Sequence, residues 1–252
     1  MLEWIILIIA VGILVLVLVL PFVLLGVSSA KEYNARADND YIINIKDYKE
    51  LEVQKIDFKN LSGQTLKGYK FFKNDRQYKA VILIIPGFKN NHNNYLPEID
   101  YFTSQDYLVF SFDPTSTGKS EGKGVKGLLQ IPYDAQCALE VIKQDSTLNQ
   151  KPLFLWGYSN GAFASLTLIN DEKVVAAASL SAFDDVNKMT VDNAVSSFGK
   201  KAILIYPYCV IFNRLKYGKN PFGSALANLK RCNKPVFLAH GTDDKVLPYT
   251  NF

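Results

Sequence analysis

The sequence predicts an α/β fold: a mostly parallel central sheet with helices on both faces, preceded by one long apolar helix. Three observations carry this expectation. Five short apolar runs recur after residue 79, and four of them end directly on Pro-Gly, Asp-Pro, Gly or His-Gly. Helix-like stretches separate several of them, and strands alternating with helices assemble into parallel sheets. Residues 4–27 form an unbroken block without a charged side chain.

The apolar block comes first. As a helix rising ~1.5 Å per residue it reaches across a ~30 Å hydrocarbon core. Pro21 sits late in it, and Trp4 lies where an interfacial indole would sit. A cleaved signal peptide and a buried helix are the other readings. Ser28-Ser29-Ala30 offers small residues for cleavage, but the preceding n-region has Glu3 and no Lys or Arg. The block also exceeds the usual apolar core of a signal peptide. The expectation is therefore a transmembrane anchor over 1–30 and a polar linker over 31–41. Lys31 and Arg36 favour the cytoplasm for the side that follows. Three free cysteines agree with a reducing compartment.

A domain over 42–252 follows. Ile42 to Asp57 and Leu66 to Phe72 read as two antiparallel strands, with turn residues at Leu61-Ser62-Gly63. The five apolar runs are AVILII (80–85), YLVFSF (107–112), PLFLW (152–156), VVAAASL (174–180) and PVFLA (235–239). Continuous apolar runs suit strands covered on both faces. Leu96–Gln105, Tyr133–Lys143 and Gly161–Leu168 are the helix-like stretches between them. Residues 184–230 interrupt the rhythm and predict a helical lid insertion, rich in apolar and aromatic residues, with a helix packed plainly on the sheet as the alternative. In such sheets the chemistry gathers at the strand C-terminal ends.

Composition narrows the function. The net charge of +4 is too small and too spread out to support nucleic-acid binding. Three cysteines without tight spacing disfavour a disulfide framework or a Cys-rich metal site. No cofactor or metal is expected. The chain has 2 histidines, so any histidine-dependent step within it must use His92 or His240.

Gly157-Tyr158-Ser159-Asn160-Gly161 is G-x-S-x-G, placed after PLFLW and before the helix-like AFASLTL. A sharp strand-to-helix turn strains the backbone at the serine and exposes its Oγ. Gly157 and Gly161 let strand and helix pass closely, and the helix start favours developing negative charge. An ordinary turn serine is the alternative. Pro86-Gly87-Phe88 ends the AVILII strand.

With Ser159 in its elbow, this loop resembles the oxyanion loop of the α/β-hydrolase fold. The nearest group is that of the serine aminopeptidases and monoacylglycerol lipases. The resemblance runs over roughly 42–252 and rests on four ordered landmarks. It implies that Ser159 is the nucleophile and that the backbone N–H groups of Phe88 and Asn160 form the oxyanion hole. Asp113-Pro114-Thr115-Ser116-Thr117-Gly118-Lys119-Ser120-Glu121-Gly122 resembles a structural segment at the pocket edge. It lacks the first glycine of a phosphate loop. His240-Gly241-Thr242-Asp243-Asp244-Lys245-Val246-Leu247-Pro248 resembles the acid turn and implies Asp244 as the triad acid. Asp243 and Asp184 are the alternatives, and His240 is a turn residue in this pattern.

Chain order in the resembled family is serine, acid, histidine. No histidine follows Asp244 in the 252 residues. Three explanations compete: a C-terminally truncated hydrolase, a degenerate inactive one, or one that borrows His92, His240 or a partner's histidine. The expected activity is acyl transfer to water from a carboxylic ester, thioester or amide through an acyl-enzyme. The alternative is a membrane-tethered binding module that keeps the fold without turnover. The partners expected are a small-molecule ester or acyl substrate and the membrane.

Overall fold

The computed structural model describes residues 2–30, 45–124, 127–218 and 222–247. The linker expected over 31–41, residues 42–44 of the first expected strand, and Pro248 of the acid turn lie outside these. In chain order the elements are α1 (Leu2–Ala30), β1 (Glu52–Lys59), β2 (Thr65–Phe72), β3 (Ala80–Ile85), α2 (Leu96–Ser104) and β4 (Tyr107–Asp113). Next come α3 (Gln130–Gln144), β5 (Leu153–Tyr158), α4 (Asn160–Leu168), β6 (Val174–Leu180) and α5 (Val186–Phe198). The series ends with α6 (Tyr206–Tyr217), α7 (Ala225–Leu229) and β7 (Val236–Ala239).

The chain divides into two compact bodies. One joins Met1–Lys31 to Asn187–Pro221, and the other holds Glu32–Val186 and Phe222–Phe252. In the first body α1 is long and apolar enough to cross a membrane over Glu3–Val27. It is exposed from Glu3 to Leu20, and between there and Val27 Pro21, Phe22, Leu25 and Gly26 are half-buried. That spacing is one helical face. Phe22 meets Tyr208 of α6 there, ring centroids 5.4 Å apart.

The second body is the α/β domain. Its seven strands run in the order β1-β2-β4-β3-β5-β6-β7. β1 and β2 are antiparallel, β2 is antiparallel to β4, and the remaining pairs are parallel. All five apolar runs are strands. β3 is buried at every residue, as a central strand covered on both faces must be. Ile82, Ile84 and Val109 pack on one face with Leu96 and Ile99 of α2. The alternate residues Leu83, Phe110 and Leu155 are buried too, and on a strand they point to the opposite face.

Three boundaries differ from expectation. The first strand starts only at Glu52, because Ile45–Leu51 closes two successive turns, Tyr48 N to Ile45 O and Leu51 N to Tyr48 O. α3 starts three residues earlier than Tyr133, since Pro132 falls in its first turn, where a missing N–H breaks no helical bond. The 184–230 insertion contributes to both bodies. Residues from Asn187 join α1, while Phe222 and α7 stay with the sheet: Phe222 packs edge-on against Tyr133 of α3.

Candidate active site

β5 passes into α4 through Ser159, whose φ of 56° and ψ of −118° place it in a strained region for a side chain. Close packing holds it there. A Cβ on Gly157 would sit 2.1 Å from the carbonyl oxygen of Gly161, and one on Gly161 would sit 2.0 Å from that of Ile85. The opposing atoms are backbone, so they cannot step aside. Ser159 N donates to Leu180 O at 2.9 Å, and Phe163 N donates to Ser159 O at 3.1 Å. The elbow is thereby tied to β6 behind it and to the helix ahead. Asn160 opens α4, where the first N–H groups have no intrahelical acceptor. Its side chain is buried, with Nδ2 donating to Leu128 O at 2.9 Å and Oδ1 without a partner.

The Pro86-Gly87-Phe88 loop reaches the elbow. A Cβ built on Gly87 would lie 3.5 Å from the Cβ of Ser159. Gly87 O accepts from Asn90 N at 3.1 Å, closing a turn with Phe88 and Lys89 at its centre. Lys89 adopts φ 67°, a position glycine normally takes. Tyr95, which sequence reasoning missed, holds this loop. Its buried hydroxyl accepts from Gly87 N at 2.8 Å and from Asn90 Nδ2 at 3.1 Å. Burial pushes the Tyr95 phenol up, so it stays protonated. No local pattern marks Tyr95, because its contact spans eight residues of loop.

The Asp113–Gly122 segment is built around two buried carboxylates. Asp113 Oδ1 lies 2.5 Å from His92 Nδ1, and Oδ2 accepts from Lys119 N at 2.8 Å and Tyr69 Oη at 3.1 Å. The His92 ring stacks on Tyr69 at 3.6 Å between centroids. Asp134 of α3 accepts from Thr115 N at 2.7 Å, Thr115 Oγ1 at 3.0 Å and Gln130 Nε2 at 2.9 Å. Burial pushes its carboxyl up to about 6, against those hydrogen bonds.

The acid turn follows β7. Asp244 Oδ1 accepts from Val246 N at 2.9 Å and Leu247 N at 2.8 Å. Asp244 Oδ2 lies 3.8 Å from His240 Nε2, which sits 2.6 Å from Leu247 O. Asp184 is engaged elsewhere: it accepts from Ser224 Oγ and from Leu226 N at the start of α7. Asp243 is exposed in the same turn as Asp244. The structure therefore brings Gly87 against Tyr158 and Ser159. Among the described residues, neither His92 nor His240 is hydrogen-bonded to Ser159. On the α2 side of the sheet, an apolar trough of about 420 Å³ runs along β5–β7, lined by Phe154, Trp156, Ala176, Ala178 and Phe237.

The fold and the elbow together define an α/β hydrolase. The serine aminopeptidase S33 family model matches residues 76–210, more than half of the chain, and the chain belongs to this family. It is 28% identical over 126 residues to the polyketide transferase grgF of a Penicillium species, a match covering 49% of this chain and 42% of that one. It is also 28% identical over 117 residues to a thiohydrolase of Eupenicillium brefeldianum, covering 45% of this chain and 37% of that one. The chain thus spans less than half the length of these two relatives. Among solved structures, the Pyrococcus furiosus esterase Pf2001 superposes with a TM-score of 0.62 at 19% identity, covering 84% of this chain and 78% of that one. That likeness establishes the shared fold.

Proposed function

We propose that the protein is a membrane-anchored serine hydrolase that cleaves a carboxylic ester, with thioesters and amides as related acyl substrates. The observation that carries this is Ser159, held at a strained strand-to-helix turn with the Gly87 loop packed against it. Ser159 Oγ attacks the acyl carbon, and the carbonyl electron pair moves onto its oxygen. The backbone N–H groups of Phe88 and Asn160 stabilise that charge as it develops. Collapse expels the leaving group with a proton and leaves an acyl-serine. Water then attacks the acyl carbon, the acyl C–Oγ bond breaks, the carboxylic acid leaves, and a proton from the water returns to Ser159 Oγ. The thiohydrolase among the relatives supports keeping thioesters within the substrate class. α1 serves as the anchor, and the Lys31 and Arg36 that follow it favour the cytoplasm for the hydrolase body.

Asp244 is the proposed acid, whose task is to orient a histidine and stabilise its imidazolium. His92 is instead bound to Asp113, and His240 to the carbonyl of Leu247. This favours a second reading, a tethered module that binds acyl compounds without turnover. A fluorophosphonate probe on the detergent-solubilised chain separates the two. Covalent labelling that disappears in Ser159→Ala supports the hydrolase. A folded protein that takes no label excludes it and leaves the binding module. Labelling that survives in Asp244→Asn but not in His92→Asn would move the acid–base role away from Asp244.

A further inference from the structure

We propose that the segment from Asn187 to Gly218 is a second membrane-contacting element, which lies in the headgroup region beside α1 and recognises an anionic lipid surface. The inference deepens the membrane-anchor reading of α1 and rests on it.

Charge is the first observation. The segment holds five basic residues, Lys188, Lys200, Lys201, Arg214 and Lys216, against one acidic residue, Asp192. Its net charge is +4, equal to that of the whole chain. The rest of the molecule therefore sums to zero. The positive character of this protein resides in about an eighth of its length.

Position is the second. This segment forms one compact body with α1. Their ring contact, Phe22 with Tyr208, falls five residues before Val27, the end of the apolar span. At ~1.5 Å per residue that is ~7.5 Å inside the span's end. Interfacial helices bury their apolar side ~5–10 Å into the boundary between headgroups and acyl chains. α6 is therefore attached to the span at the depth an interfacial helix occupies.

Surface is the third. Alongside the basic residues the segment exposes large apolar side chains: Phe198 at 84%, Leu215 at 78%, Leu204 at 71% and Ile203 at 62%. Lys200 and Lys201 sit between Phe198 and Ile203, in a tight turn. Exposed apolar groups interleaved with lysines suit the boundary of an anionic leaflet, where hydrocarbon and phosphate lie within one side chain's reach.

The test uses the full chain reconstituted into vesicles of phosphatidylcholine, with and without phosphatidylserine. Flotation after alkaline wash reads the α1 anchor. Hydrogen–deuterium exchange of peptides covering 198–217 reads the segment. The expected result is flotation with both lipids and slower exchange of 198–217 with phosphatidylserine. Adding salt should reverse that slowing, since surface charge is screened within ~10 Å at 0.1 M. In K200E/K201E the phosphatidylserine effect should fall by at least roughly fivefold for each lysine lost. Phe198→Ser with Leu215→Ser should reduce protection in both lipids without unfolding the protein, since both side chains are exposed. Flotation with exchange indifferent to lipid would overturn the inference and leave the anchor standing. Lipid-dependent protection without flotation would overturn the anchor and leave the segment as a peripheral contact. Loss of both would overturn both.

Discussion

Ser159 depends on neighbours that have no side chain. Gly157 and Gly161 are required because backbone carbonyls occupy the space where their Cβ atoms would go. Gly161→Ala pushes a methyl group onto the Ile85 carbonyl, and its expected cost is about 3 kcal/mol. A lowered denaturation midpoint of the solubilised chain, followed by Trp156 fluorescence, checks it. Tyr95→Phe removes the acceptor of Gly87 N and Asn90 Nδ2. Leaving these donors unpaired should cost about 1–3 kcal/mol. Because the loop also carries Phe88, fluorophosphonate labelling of Ser159 should slow as well. The two residue types differ in how far sequence discloses them. The glycines stand in a five-residue pattern whose geometry is local. Tyr95 acts across a loop, and nothing near it in the chain announces its partner.

At the scale of elements, Asp134 joins α3 to the chain after β4. Its carboxyl is held at about 6 in the folded protein, above the ordinary 3.8. Between these values the folded state binds the proton more tightly than the unfolded chain does. The contribution of this group to stability is therefore present below pH ~4 and lost as pH rises through ~6. Asp134→Asn removes the titration. Chemical denaturation at pH 4.5 and pH 7 should show the wild type losing stability relative to the variant as pH rises; an unchanged difference would refute the assignment. β7 is the other informative element. Phe237 and Leu238 point to opposite faces of the strand and both are exposed among the described residues, while Val236 and Ala239 are half-buried. Exposed apolar side chains on an edge strand invite pairing with other chains. Phe237→Ser should lower aggregation on light scattering and change stability by less than about 0.5 kcal/mol.

At the scale of the molecule, two bodies divide the work. The sheet body carries the elbow, the loop against it and the acid turn. The other body collects the apolar span and the net positive charge. In the sequence, residues 184–230 read as one insertion. The structure divides this stretch, because the chain from Asn187 finds its packing partner in α1, more than 150 residues earlier in sequence. Phe222 and α7 return to the sheet through Tyr133 and Asp184.

The mostly parallel sheet, the strand-to-helix turn at Ser159 and the apolar helix at the start are legible in the sequence alone. Each is written in contiguous residues, as a hydrophobic run, a glycine pair around a serine, or an uncharged stretch long enough to span a bilayer. Only the tertiary structure decided where the polar side chains go. His92 pairs with Asp113 across 21 residues, and Tyr95 steadies the loop at Gly87. Asp184 caps α7 across 42 residues, although the sequence offers it as an acid. Hydrogen bonds depend on distances of ångströms between groups that folding brings together, and a linear pattern records composition and period but not those distances.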